Sequence, residues 1–134
     1  MLVVKNRKYG YAAESGGAIA IEPEFDDALA FSEGLAAVRV GDADTGRWGY
    51  IDTQGRWVME PQFAYASYFS EGLAAVAVDD YFEGKLGYID RTGKWVIPPT
   101  FEYASPFRRG KAHVKLDGEH GDVDRTGKFS PDRK

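Results

Sequence analysis

The sequence contains no cysteine. That absence excludes disulfides, thiolate metal sites and a cysteine nucleophile, and it allows a reducing compartment without requiring one. Histidine is almost as scarce, with His113 and His120 the only two. A zinc site would therefore have to borrow carboxylates such as Asp117, Glu119 or Asp122, and a catalytic histidine would need a serine partner that no motif announces. No Gly-x-Ser-x-Gly, phosphate loop or dinucleotide fingerprint occurs. Basic charge is not in excess: 17 Lys and Arg face 21 Asp and Glu, a net charge of −4, which argues against a nucleic-acid binder that works by neutralising phosphates. No apolar run approaches the roughly 20 residues of a membrane span, and residues 1–8 lack the apolar core of a signal peptide. The expectation is a cytoplasmic protein with no cofactor, metal, membrane or nucleic acid, and no catalytic residues.

What the sequence has is internal repetition. Residues 31–40, Phe-Ser-Glu-Gly-Leu-Ala-Ala-Val-Arg-Val, return almost unchanged at 69–78 and more altered at 107–116. The starts at 31, 69 and 107 are 38 residues apart each time, the regularity of a repeat protein. A degenerate copy precedes them, with Tyr9-Gly10-Tyr11 standing where the next has Trp48-Gly49-Tyr50. The 134 residues, 43% of them hydrophobic, read as a single domain, 1–134, of about four copies: 1–30, 31–68, 69–106 and 107–134.

Each full copy predicts three strands. In the first, Ala36, Val38 and Val40 alternate with Ala37 and Arg39; in the last copy Lys111, His113 and Lys115 alternate with Ala112, Val114 and Leu116, so the cationic set is expected to face solvent. The second and third strands, residues 48–52 and 56–59, are apolar on both faces. Between them Asp52-Thr53-Gln54-Gly55, repeated as Asp90-Arg91-Thr92-Gly93 and Asp124-Arg125-Thr126-Gly127, predicts a tight hairpin with its aspartate accepting backbone N–H groups. Pro23, Pro61 and the pair Pro98-Pro99 are expected to end the third strand. The spacing of Phe63, Ala66 and Phe69, echoed in the neighbouring copies, suits one turn of helix. Such units must stack to bury their apolar faces, giving an all-β tandem repeat of three-stranded antiparallel hairpin units in an open curved solenoid-like array, or alternatively a small closed propeller-like ring.

The run Trp48-Gly49-Tyr50-Ile51-Asp52, followed by Gly55-Arg56-Trp57-Val58 and Pro61-x-Phe63, with Gly34-Leu35-Ala36-Ala37-Val38 upstream, resembles the bacterial WG repeat, also called the KWG repeat. The next copy carries Leu86-Gly87-Tyr88-Ile89-Asp90 and Gly93-Lys94-Trp95-Val96-Ile97-Pro98-Pro99, with Leu86 in place of the family's tryptophan. The last copy has Gly121-Asp122-Val123-Asp124. The resemblance implies a β-rich interaction module without a common enzymatic activity.

Among candidate functional residues, Trp57 and Trp95 are replaced across the copies by Ile19 and Phe129, a swap that preserves apolar volume and predicts core positions. Trp48, whose equivalents are Tyr9, Leu86 and His120, is expected to be half-exposed. The run Asp42-Ala43-Asp44-Thr45-Gly46 is similar to the start of a calcium loop but places its glycine one position early. The last copy changes its surface: Arg108, Arg109, Lys111, His113, Lys115 and His120 form a basic set on an acidic protein. These residues and Trp48 are the candidate partner-binding positions, with the loops at 41–47 and 79–85 as a second candidate. The expected function is non-enzymatic recognition of another protein, in its narrower form the neutralisation of a toxin, as an immunity protein does. The rival is an enzyme or small-ligand binder with a cleft between copies, and β-edges at either end are expected to allow self-association.

Overall fold

The computed structural model describes residues 2–12, 19–78 and 85–132. It is all-β among those residues, built as four antiparallel meanders. The first is β1 (Leu2–Lys5), β2 (Lys8–Ala12) and β3 (Ile19–Phe25); the second is β4 (Asp27–Ala28), β5 (Leu35–Val40), β6 (Arg47–Asp52) and β7 (Trp57–Phe63). The third comprises β8 (Tyr65–Ala66), β9 (Ala74–Ala77), β10 (Leu86–Ile89) and β11 (Trp95–Phe101), and the fourth β12 (Tyr103–Ala104), β13 (Lys111–Leu116), β14 (Glu119–Asp124) and β15 (Phe129–Pro131). No helix among the described residues is long and apolar enough to cross a membrane.

The sheets stack, and three separate cores lie between successive pairs. Ala36, Val38 and Ile51 of the second sheet pack with Tyr11, Ile21 and Phe25 of the first. The other face of the second sheet sends Ala37, Tyr50, Met59 and Phe63 against Ala74, Val76 and Ile89 of the third. In turn Ala75, Ala77, Tyr88 and Ile97 meet Ala112, Val114 and Val123 of the fourth. Alternation along a strand therefore does not separate core from solvent in the inner sheets; it separates one core from the next. Ala37, expected on a solvent face, is buried for this reason, whereas Val40 at the strand end is exposed. No core joins the fourth sheet to the first among the described residues, so the array is open. Its ends are sheet faces, and the strand edges run along its sides.

Three local expectations are corrected. The residues after each proline form no helical turn: Tyr65–Ala66 is a short strand paired with β9, and Ala64 and Ser67 donate their N–H groups to Ala77 and Ala75. Each unit thus has four strands rather than three in the second, third and fourth sheets. The prolines do not end the third strand either. Between the pairs Tyr50↔Met59 and Trp48↔Phe63, three residues oppose one, and Pro61 sits in that bulge, where the missing N–H costs no ladder bond. The bulge crosses directly over Gly49, whose added Cβ would lie 2.5 Å from the Met59 carbonyl oxygen; at Gly87 the Ile97 oxygen is equally close. Finally, Trp57 and Trp95 are 38% and 41% exposed, because they open β7 and β11, the edge strands of their sheets. Trp57 keeps an edge-on contact with Phe25 of the preceding sheet at 5.9 Å.

Polar staples join successive sheets. The hydroxyls of Tyr11, Tyr50 and Tyr88 donate to the carbonyls of Leu29, Ser67 and Ser105, each at 2.6 Å, and burial pushes all three phenols above the usual tyrosine range. The two-residue turns Glu33-Gly34, Glu71-Gly72 and Arg109-Gly110 have both residues at positive φ, the turn type that suits a tight hairpin. The Glu33 carboxylate accepts the N–H groups of Glu71 and Gly72 at 2.7 and 2.9 Å, and the Glu71 carboxylate those of Arg109 and Gly110 at 2.5 and 2.8 Å. Ser32 and Ser70 add bonds to the carbonyls of Phe69 and Phe107.

Candidate functional site

The stacking rule identifies the surface where the chain departs from its own pattern. Leu73 just before β9, Ala75 and Ala77 on it, and Leu86 and Tyr88 on β10 point from the third sheet toward the fourth. At the matching positions of β13 and β14 stand Lys111, His113, Lys115, His120 and Asp122. The outer face of the fourth sheet is therefore built to meet water or a polar partner rather than another sheet.

Register assembles the face. Across β13 and β14, His113 is opposite Asp122 and Lys115 opposite His120, and a two-residue turn at Asp117 and Gly118, both at positive φ, holds the pairing. His113 Nε2 lies 3.2 Å from His120 Nδ1, with ring planes within 10° and centroids 5.2 Å apart. On its other side His113 Nδ1 is 3.7 Å from Asp122 Oδ1. Tyr103, 49% exposed on β12, tilts against His113 at 6.2 Å between rings. A concavity of about 410 Å³ opens beside them, lined in part by Ser105, Arg108, Lys111, His113 and Asp122. Among the described residues, one group of ligand-type side chains converges: His113, Asp122 and Asp132 offer atoms within 4.8 Å of one another.

The candidate set is only partly united. Lys111, His113, Lys115 and His120 share this face. Arg108 and Arg109 sit at the turn beside it, where Arg108 donates to the Tyr68 hydroxyl at 3.1 Å and the Arg109 backbone is clasped by Glu71. Trp48 lies elsewhere, half-buried on β6 against the core between the second and third sheets. Of the two loops, 41–47 is folded on Asp42, whose carboxylate accepts N–H groups from Asp44 and Thr45, and these bonds, the Thr45 backbone bond foremost, hold its pKa below the usual carboxylate range. Residues 79–84 of the other loop, with Asp79, Asp80 and Glu83, lie outside the described residues. The sequence reading did not select Tyr103 or Asp132, and it weighed Asp122 only as a spare carboxylate. Aligning the copies at Gly87 and Gly121 would have found Asp122, since it replaces the buried Tyr88.

The hairpin aspartates behave as turn groups. Asp52, Asp90 and Asp124 each accept two backbone N–H bonds at 2.9–3.1 Å. The Arg56 backbone bond at Asp52, and the threonine hydroxyl bonds at Asp90 and Asp124, hold these carboxyls below their usual range.

Comparison with known families gives one result. The family model described as WG containing repeat matches residues 9–42, 48–82 and 87–119. No curated protein and no solved structure matches the chain.

Proposed function

Because the chain belongs to the WG containing repeat family, a scaffold of stacked hairpins, we propose that it is a non-enzymatic recognition protein that binds an acidic protein surface. The binding face is the outer side of the fourth sheet, and the protein works in the cytoplasm. One observation carries this reading: where three preceding sheets present apolar side chains to a neighbour, this face presents Lys111, Lys115 and His113 beside the exposed ring of Tyr103. Cations around an aromatic suit a partner rich in carboxylates, and exposed tyrosines recur as interface anchors. A stable complex would bury about 1,200 Å² or more in total, so neighbouring Arg108 and Arg109 would fall within the footprint. Occlusion of a toxin is the narrower form of this function.

The test compares capture by wild type with capture by a Lys111→Glu, Lys115→Glu variant of unchanged melting temperature. A stoichiometric partner retained by the wild type, released by salt and lost in the variant supports the reading. Equal retention by both moves the site to the 41–47 loop.

A further inference from the structure

We propose that His113, Asp122 and Asp132, with His120 orienting the His113 ring, form a binding site for a divalent transition metal of the zinc class. This goes beyond the recognition reading and does not depend on it. The argument begins with placement. A polar cap over the last sheet needs only side chains that tolerate water, and Lys111 and Lys115 meet that need. Yet the chain's two histidines both fall on this face, at positions held by Ala75 and Leu86 in the copy before, and the buried Tyr88 becomes Asp122.

Geometry follows. His113 Nε2 and His120 Nδ1 are hydrogen-bonded at 3.2 Å, so His120 orients the His113 ring through its second nitrogen, as the outer partners of metal-bound imidazoles do. The other nitrogen, His113 Nδ1, faces Asp122 Oδ1 at 3.7 Å, a separation that two ligand atoms on one metal ion can keep. Asp132 is carried to the cluster by the ladder itself, its N–H donating to the His120 carbonyl at 3.1 Å, and its carboxylate joins His113 and Asp122 in a group of three ligand atoms within 4.8 Å of one another. An imidazole with two carboxylates suits zinc, copper or nickel better than calcium or magnesium, which take oxygen donors. The carboxylates also balance the dication beside Lys111, Lys115 and Arg108.

The experiment is calorimetric titration of the untagged, metal-free protein with zinc chloride, in parallel with calcium chloride. One equivalent of zinc per chain is expected, with no calcium bound at the same concentration. His113→Ala and His120→Ala should each weaken zinc binding by about tenfold or more, and Asp122→Asn by a similar factor. Lys115→Ala, on the same face, should bind at least as well as wild type. Since these side chains are partly exposed, each variant should melt within a few degrees of wild type without metal. Substoichiometric zinc uptake, calcium preferred to zinc, or undiminished binding by a His113→Ala, His120→Ala double variant would overturn the proposal. The titration needs no partner protein, so its outcome is separate from that of the capture experiment.

Discussion

At the scale of single residues, the glycine that follows Trp48, and Leu86 in the next copy, is explained by a close approach rather than by its backbone freedom. A methyl at Gly87 would sit 2.5 Å from the Ile97 carbonyl and 2.7 Å from Pro98, both backbone atoms that cannot move without breaking the bulge. Gly87→Ala should therefore cost about 3 kcal/mol, at the upper end for overpacking, read as a drop in denaturant midpoint. Aspartates set the acid limit. Asp26, held low chiefly by Lys8 at 2.5 Å, and the turn residues Asp52, Asp90 and Asp124 all have depressed folded pKa values. Each contributes stability that is complete above the unfolded carboxylate value of about 4 and is lost as pH falls through the lower folded one. Melting temperature should hold between pH 7 and 5 and drop below about pH 4. An Asp90→Asn variant should lose part of that acid dependence, and an acid limb parallel to wild type would contradict the assignment. Trp57 and Trp95 show a limit of reading residues one at a time. Substitution by other apolar groups tells that water is partly excluded, but an edge strand lets one ring cover a neighbour and still face solvent.

At the scale of elements, the hairpin of residues 47–63 was legible because turn chemistry is local: Asp52 and Gly55 enforce it wherever they occur. The two-residue strands β4, β8 and β12 were not, since a period cannot be read from two positions, and the Phe-Ala-Phe spacing fits a helical turn equally well. The serine–glutamate staple was hidden for another reason. Its meaning lies between copies, in a carboxylate that clasps the turn 38 residues later. Glu71→Ala removes two such bonds at an exposed site and should cost about 1 kcal/mol. Arg109→Ala, at the same place in the following copy, should cost less, because among the described residues no further turn follows to be clasped. Equal losses in the two variants, measured by chemical denaturation, would show that the turn itself and not the clasp is responsible.

At the scale of the whole molecule, every core joins one sheet to the next, and the outer face of the fourth sheet is the place where side-chain chemistry refuses another. Replacing Lys111, His113, Lys115, His120 and Asp122 by their third-sheet counterparts (Lys111→Leu, His113→Ala, Lys115→Ala, His120→Leu, Asp122→Tyr) should create an apolar end and drive association of chains. Sedimentation velocity should find dimers or larger species, and a monomer at high concentration would argue that these five positions do not act as a cap. The order of stacked units was readable from the spacing alone; the histidine–carboxylate cluster was not, because it exists only once β13 and β14 are in register.

The directional clasp has one further consequence, for descent. The second and third units each offer a carboxylate to the turn of the unit after, so duplicating one of these inner units repeats the same joint. Such a molecule can lengthen by copying 38 residues at a time, with selection afterwards free to alter the last face alone.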